Sequence, residues 1–364
     1  MKKNILFFLS LILLSSCANH EERVRKNLQT AWQDYFEKDF TQTKPVEVLV
    51  VTNRKPKNES FTCDNTQFGV ALDQNLRFGV CKINVPKNHV VGEIGVSSDE
   101  GNSSPQTLFK VLGANSLLEK DFFSEIKKSQ RTPLVFVHGF NVRYQEAVLR
   151  AAQIAYDLKY QGPVILFTWP AGAPEGFVKE KLMSETYANN NANARASIEV
   201  FKNFLISLQK NDIKVNLIVH SMGHQVVLPA LKIMAESNPK KPSIDQLILN
   251  APDFAIPEFR TISANIKKIS DRTTLYCSEN DKAMTASKAF NGNERLGACA
   301  FIKEIDVVNV GSTDDPTLGL GHGYYSSRAV LGDVVQVLLG IDVNKRSFIA
   351  KSDSYSRDKH FLRK

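Results

Sequence analysis

The sequence predicts an α/β protein built on a mostly parallel, doubly wound sheet flanked by helices. Two observations carry this prediction. Short, continuously apolar runs recur along the chain, as is typical of strands buried on both faces. Amphipathic helical patterns lie between these runs, as is typical of right-handed crossovers between parallel strands. The chain has 364 residues, of which 43% are hydrophobic, and one large domain is sufficient to explain it.

The N-terminal residues are predicted to be a targeting segment. Two lysines precede a largely apolar stretch at residues 5–14, which is too short for a membrane-spanning helix and typical of a secretory signal. The stretch ends in Leu-Ser-Ser-Cys17, which resembles the lipobox of bacterial lipoproteins. We therefore expect a signal peptide at residues 1–16 and a lipid-modified Cys17, which is a stable membrane anchor when several acyl chains are present. The alternative is an ordinary signal peptide followed by an incidental cysteine.

The expected location is the bacterial cell envelope, with the protein attached to the membrane through its N-terminal lipid. Ala18 follows the cysteine, and this resembles lipoproteins that are sent on to the outer membrane. We therefore favour the outer membrane, on its periplasmic side or at the surface.

The positive charge lies mainly at the ends of the chain. The formal net charge is +8, and residues 1–16 contain two of the lysines. Residues 341–364 contain seven Lys or Arg and three Asp, so we expect a basic, solvated C-terminal tail. The remaining body is nearly neutral, which excludes a dedicated nucleic-acid surface.

The domain between the two ends is predicted at residues 45–340, after an N-terminal tether at residues 17–44. Within the tether, large apolar residues recur every fourth position and predict a helix: Val24, Leu28, Trp32, Phe36 and Phe40. Strands are predicted at 47–52, 77–85, 133–138, 163–169, 214–220, 244–250, 272–278 and 303–310. Helical faces are predicted at 147–158, 198–208, 222–236 and 326–339.

Four cysteines remain after Cys17, an even number in an exported protein. They are Cys63, Cys81, Cys277 and Cys299, and three pairings are open. We favour Cys63 with Cys81 and Cys277 with Cys299, because each pair closes a short loop. The alternative is four unpaired core residues. The sequence contains no CxxC motif and no Cys/His cluster typical of a metal site.

The clearest chemical motif is Val-His-Ser221-Met-Gly at the end of the strand 214–220. A serine between a buried strand and a helix is typical of the nucleophile elbow, in which the hydroxyl stands clear of the sheet edge. The usual pattern is G-x-S-x-G, and Val219 replaces the first glycine. The structural alternative is a serine that caps a helix.

An earlier strand ends in His138-Gly-Phe140, at the place where this architecture supplies a backbone donor to an oxyanion hole. We predict that the N–H groups of Phe140 and Met222 form this hole. His138 is expected to brace the loop rather than to transfer protons.

An acid and a histidine follow the serine along the chain, each beyond a predicted strand. Asp281 and His322 complete the order Ser, Asp, His, in which the histidine accepts the serine proton and the acid orients the histidine. Asp253 also follows a strand and is the alternative acid. Asp314 and Asp315 are expected to be solvated turn residues.

These motifs together resemble a bacterial family of α/β-hydrolases, often described as esterase/lipase-superfamily proteins, whose substrates are largely unassigned. The resemblance covers residues 45 to 340 and rests on VTNRKP, GEIG, HGFN, FTWP, HSMG, NAPD, SENDKA and GHGYY, in this order. It implies the α/β-hydrolase fold and a catalytic triad at Ser221, Asp281 and His322. It also implies that Val219 is compatible with the family pattern.

The expected function is a serine hydrolase acting on a carboxylic ester or thioester, from a small molecule or a lipid, without a cofactor. The alternative is a catalytically silent envelope lipoprotein that uses the fold to bind a partner. A zinc hydrolase based on His220 and His224 is disfavoured, because the zincin pattern requires a glutamate where Ser221 stands. The segment 170–192, with Phe177 and Tyr187, is expected to overhang the site. The sequence does not predict an oligomeric state.

Overall fold

A computed structural model describes residues 43–95, 108–173, 182–237, 243–313, 322–323, 326–351 and 360–363. The described residues from Pro45 onward belong to one compact unit, Pro45–Lys364, which contains the sheet apart from Lys44, the first residue of β1. The predicted signal peptide, Cys17 and the predicted helix at 21–40 lie outside the described residues. No described helix is long and apolar enough to cross a membrane.

The described strands form one sheet with the order β10-β11-β9-β8-β7-β6-β4-β5-β1-β2-β3. They are β1 (Lys44–Pro56), β2 (Phe68–Val85), β3 (Lys110–Leu117), β4 (Leu134–Val137), β5 (Val164–Thr168), β6 (Val215–His220), β7 (Ile244–Asn250), β8 (Ser270–Cys277), β9 (Asp306–Asn309), β10 (Ile349–Lys351) and β11 (His360–Leu362). From β9 to β1 every neighbouring pair is parallel. The predicted fold class is therefore confirmed.

Helices cover both faces of the sheet. They are α1 (Glu119–Lys128), α2 (Tyr144–Asp157), α3 (Leu182–Ala196), α4 (Ile198–Lys210), α5 (His224–Ser237), α6 (Ile256–Ile269), α7 (Lys282–Asn291) and α8 (Arg328–Leu338). Alternate strand residues enter opposite cores: Val135 and Val137 pack in the core with α1, α4, α5 and α6, whereas Leu134 and Phe136 pack in the core with α2 and α8. Burial on both faces explains the continuous apolar runs of the central strands.

The sequence patterns leave β3, α1, α3, α6 and α7 unpredicted. The edge strand β3 contains no fully buried residue, so it lacks the apolar run that identifies the central strands. Helix α3 is rich in asparagine and alanine and has no strong apolar face. The sheet and its covering helices supply the environment that these weak local patterns do not specify.

The structure pairs the four described cysteines as the sequence favours. Cys63 is bonded to Cys81, which joins the segment after β1 to β2. Cys277 is bonded to Cys299, which joins the end of β8 to the loop that follows α7.

The C-terminal segment corrects the prediction of a solvated tail at 341–364. Strand β11 pairs in parallel with β9, and β10 pairs with β11. Arg346 is buried and forms ion pairs with Asp333 at 2.9 Å and with Asp306 at 3.1 Å. A count of charges in the tail overlooks these partners, because both acids belong to the body of the domain.

Replacing Arg346 with methionine is expected to destabilise the domain by about 3–5 kcal/mol, because the buried Asp333 carboxylate loses its cation. Urea unfolding with the disulfides intact measures the change. Lys345→Met is the matched control, since Lys345 is exposed and its replacement is expected to cost less than about 0.5 kcal/mol. Equal stabilities for the two variants would contradict a structured C-terminal segment.

Candidate active site

Ser221 stands at a sharp turn between β6 and α5. Its φ is +52°, a left-handed conformation that costs a residue other than glycine about 1–3 kcal/mol. A short 3-10 turn, Ser221–Gly223, follows at once and leads into α5. This strained strand-turn-helix connection is the local geometry of a nucleophile elbow.

Two glycines allow the loop after β4 to approach this turn. A Cβ atom on Gly139 would lie 2.7 Å from the Ser221 Cβ, and a Cβ atom on Gly223 would lie 2.5 Å from the His138 carbonyl oxygen. Val219, in contrast, lies within β6, where it is paired with Val137 and Leu249 and fully buried. The close approach is therefore made by Gly139 and Gly223, and Val219 fits without a conflict.

The structure brings Ser221, His322 and Asp281 into one hydrogen-bonded chain. His322 Nε2 lies 2.8 Å from Ser221 Oγ, and His322 Nδ1 lies 2.7 Å from Asp281 Oδ2. Because an ionised carboxylate only accepts hydrogen bonds, this pattern assigns the proton to Nδ1 and leaves Nε2 to accept from the serine hydroxyl. The histidine side chain is 16% exposed and the Asp281 side chain is fully buried. Solvent therefore reaches the triad at the histidine and not at the acid.

Asp281 is held in place by the helix that it precedes. Its Oδ1 accepts hydrogen bonds from the Ala283 and Met284 N–H groups at 2.9 and 3.1 Å, which caps α7. Its Oδ2 remains available to His322. The helix cap and the bond to His322 are thus made by different oxygens of one carboxylate.

Asp253, the alternative acid, is occupied elsewhere. Arg295 Nε donates to its Oδ1 at 2.7 Å, the Tyr187 hydroxyl donates to its Oδ2 at 2.8 Å, and the Ser287 hydroxyl also bonds to it. Its backbone N–H donates to the Ser221 carbonyl at 3.2 Å. Asp253 therefore belongs to a buried polar cluster beneath the serine, and the carboxylate bonded to His322 is that of Asp281.

The two predicted oxyanion donors lie where the loop after β4 meets the turn Ser221–Gly223. The Phe140 amide is part of the peptide bond that follows Gly139, and the Met222 amide is part of the one that follows Ser221. Gly139 approaches Ser221 and Gly223 approaches His138 there. The two N–H groups therefore belong to adjacent parts of the same site.

His138 braces this loop from below. Its ring stacks on Trp169 with the centroids 5.4 Å apart, and its Nε2 lies 2.9 Å from Thr168 Oγ1. The Trp169 indole N–H donates to the His138 carbonyl at 2.9 Å. Burial, aided by the positive charge of Arg54, lowers the pKa of His138 to about 3, so the ring is neutral in its bracing position.

Two further histidines lie next to the serine. The His220 ring is 4.9 Å from the His322 ring between centroids, and His224 Nδ1 lies 2.7 Å from the Ser221 carbonyl oxygen. Burial lowers the pKa of His220 well below its ordinary value and that of His224 to about 3. Among the described residues, no group of three or more His, Cys, Asp or Glu side chains is placed to hold a metal ion.

These buried histidines predict a loss of stability in mild acid. In the unfolded chain a histidine takes up a proton near pH 6.5, whereas in the folded chain His138 and His224 do so only near pH 3. The free energy of unfolding is therefore unaffected by these histidines above about pH 6.5. As the pH decreases from there toward 3, it falls by about 1.4 kcal/mol per pH unit for each histidine. Urea unfolding between pH 7.5 and 5 measures this slope.

His224→Gln is expected to reduce that slope by about 1.4 kcal/mol per pH unit, because one proton fewer is taken up on unfolding. A slope that is the same in both proteins would show that His224 does not couple folding to pH.

Helix α3 begins within the segment predicted to overhang the site. Its Asn190, which has no predicted role, connects the helix to the loop after β4. The Asn190 side chain accepts from the Asn141 N–H at 3.1 Å and from the Gly172 N–H at 3.0 Å. Tyr187 lies between Phe140 and Phe290, with ring centroids 5.6 and 5.1 Å away. Phe177, Asp314 and Asp315 lie outside the described residues.

Comparison with known proteins gives one family match. Residues 115–340 match the family described as alpha/beta hydrolase of unknown function (DUF900). Two structures of the phospholipase PlaB from Legionella pneumophila, one in complex with thio-NAD, are 12% and 11% identical to the chain, each with a TM-score of 0.30. Each covers 64% of this chain, and the match spans 67% and 69% of PlaB, respectively. No curated protein matches the chain.

Proposed function

The chain belongs to the family of alpha/beta hydrolases of unknown function (DUF900), and from this premise we propose that it is a serine hydrolase acting on carboxylic esters or thioesters. The observation that carries the proposal is the hydrogen-bonded chain from Ser221 Oγ through His322 to Asp281. Ser221 stands on a strained turn at the carboxyl edge of the sheet, which is where ligands bind in open α/β folds.

In the first half of the proposed reaction, Ser221 Oγ attacks the carbonyl carbon while its proton passes to His322 Nε2. The Asp281 carboxylate stabilises the imidazolium that forms. The N–H groups of Phe140 and Met222 bind the negative oxygen of the tetrahedral intermediate. The imidazolium then donates its proton to the departing alcohol or thiol, which leaves an acyl group on Ser221.

In the second half, water replaces the alcohol. His322 Nε2 takes a proton from the water as its oxygen attacks the acyl carbonyl, and the same two N–H groups bind the oxyanion. Collapse of this intermediate returns the proton to Ser221 Oγ and releases the carboxylic acid. The enzyme ends the cycle in its starting protonation state, so the reaction needs no cofactor.

A panel of p-nitrophenyl esters and acyl thioesters, with acyl chains from two to sixteen carbons, tests this proposal. The proposal expects turnover of at least part of the series and a transient acyl adduct on Ser221 in the mass spectrum. A folded protein that hydrolyses no member of either series would contradict it, and would favour the alternative of a silent, partner-binding protein.

We propose further that the mature protein is a lipid-anchored protein of the bacterial cell envelope, with the outer membrane as the favoured site. The support is the sequence around Cys17. Cys17→Ser is expected to leave the protein unlipidated and absent from the washed outer-membrane fraction, as judged by labelling with an alkyne fatty acid. Equal labelling of both proteins would contradict the anchor.

A further inference from the structure

A cavity lies at the carboxyl end of β1, away from the triad. The cavity has a volume of about 240 Å³, and its described lining includes Arg54, Lys55, Lys57 and Arg143. Asn65, Phe68 and small residues complete that lining, and none of the described lining residues is acidic. Four basic side chains around one small cavity produce a strongly positive potential inside it.

Arg54 belongs to the lining but is fully buried, so its charge acts on the cavity from beneath the accessible surface. Its guanidinium donates only to neutral oxygens: Thr168 Oγ1 at 3.0 Å and the carbonyls of Gly69, Ala171 and Val142 at 2.7, 2.9 and 2.9 Å. In the described part of the chain no carboxylate forms an ion pair with it. The Glu146 carboxylate interacts with this charge from a distance, without an ion-pair contact. Because a buried charge is costly, a bound anion nearby would add stabilising negative charge.

The charge of Arg54 persists at neutral pH. Burial lowers its pKa to about 9, so the guanidinium remains protonated at pH 7. The neutral oxygens fix its position, and the Lys55 and Lys57 side chains are exposed and line the same cavity. Lys57 Nζ donates to the Asn65 carbonyl at 3.3 Å, which places its charge on the same rim.

The cavity opens at the same edge of the sheet as Ser221. Strands β5 and β4 separate β1 from β6, and all four strands are parallel. At about 4.8 Å between neighbouring strands, the strand ends at the two sites are about 14 Å apart. Hydrogen bonds also connect them, since Thr168 Oγ1 bonds to both Arg54 and His138, and His138 precedes the glycine that contacts Ser221.

We infer that this cavity binds the phosphate group of an anionic ester substrate whose ester carbonyl lies at Ser221. The inference deepens the proposed serine hydrolase function and rests on it. Lys55, Lys57 and Arg143 are the exposed donors of the cavity, and the buried Arg54 adds positive charge without contacting the ligand. Such a set suits a phosphate, because phosphate carries up to two negative charges and accepts several hydrogen bonds at once. The separation of the two sites requires an elongated substrate with its ester and phosphate at different ends.

The first experiment measures anion binding without catalysis, in the Ser221→Ala background. Inorganic phosphate is expected to raise the melting temperature by about 2 °C or more at saturation, relative to sodium chloride of equal ionic strength. The added double change Lys55→Gln, Lys57→Gln is expected to abolish this rise. Lys267→Gln with Lys268→Gln, on the exposed last turn of α6, removes the same charge elsewhere and is expected to retain it.

The second experiment compares two alkyl esters of equal length in the active protein, one ending in a phosphate and one in a hydroxyl group. The phosphate ester is expected to have a kcat/KM about tenfold higher than the hydroxyl ester. Charge-assisted hydrogen bonds to one group contribute about this much to binding. This ratio is expected to fall to about one in the Lys55→Gln, Lys57→Gln protein and to persist in the Lys267→Gln, Lys268→Gln protein.

The outcomes distinguish a failure of the anion site from a failure of the proposed hydrolase function. No stabilisation by phosphate, or stabilisation that survives the loss of Lys55 and Lys57, overturns the anion site itself. Binding of inorganic phosphate without a preference for the phosphate ester overturns its assignment to the substrate and leaves a site for a free anion. Phosphate binding in a protein that hydrolyses neither ester nor any member of the acyl panel instead refutes the proposed hydrolase function.

Discussion

Replacement of Ser221 with alanine is expected to lower kcat toward esters by about 10⁵–10⁶-fold, which leaves only the contribution of substrate binding and the oxyanion donors. The physical reason is that the Ser221 hydroxyl, 2.8 Å from His322 Nε2, is the proposed nucleophile. Steady-state hydrolysis of the best ester from the panel, with purified protein, measures the loss. The fold is expected to persist, because alanine removes one atom and the strain of the turn is unchanged.

The matched control is Ser237→Ala at the far end of α5, where the hydroxyl bonds only to the Ile233 carbonyl in the described structure. Its kcat is expected to match that of the unmodified protein. If Ser221→Ala retained more than about one hundredth of the activity, another group would be the nucleophile.

Asp281→Asn is expected to lower kcat by about 10⁴-fold with little change in stability. The asparagine oxygen can still accept from Ala283 and Met284 and cap α7. Its NH₂ group, however, would face His322 Nδ1 as a donor, which favours the tautomer that carries the proton on Nε2. A histidine in that tautomer cannot accept the serine proton. Kinetics and urea unfolding on the same preparation separate the two effects.

Asp253→Asn provides the opposite pattern. It leaves Arg295, whose side chain is 5% exposed, without its anionic partner, and the expected cost is about 3–5 kcal/mol of stability. The remaining folded protein is expected to keep its kcat within about tenfold. If Asp253→Asn instead lost activity at unchanged stability, and Asp281→Asn lost stability at unchanged activity, Asp253 would be the acid that orients the histidine.

The sequence and the structure agree where local composition determines the element. The central strands are apolar on both faces, and their carboxyl ends carry Ser221, Asp281 and His322, so the fold class and the common edge follow from the pattern. The choice between Asp281 and Asp253 does not follow, because both are acids just beyond a strand. Only the three-dimensional partner, His322 for one and Arg295 for the other, distinguishes them.

Charge is the property that the sequence predicts least well. Arg346 is one of several basic residues in a polar C-terminal segment. Its burial depends on Asp333 in α8 and Asp306 in β9, two partners that no local pattern in that segment indicates. Arg54 is likewise part of a basic tripeptide, Arg-Lys-Pro, that resembles a solvated loop. Its burial requires carbonyls from three distant segments.

Covalent labelling by a fluorophosphonate tests the central claim most directly, because the reagent reacts with a serine hydroxyl only where a neighbouring base and an oxyanion hole activate it. The account predicts one adduct, on Ser221 by peptide mapping, that is lost in His322→Ala although Ser221 itself is still present. An unlabelled folded protein, an adduct on another serine, or labelling of Ser221 that does not need His322 would contradict it.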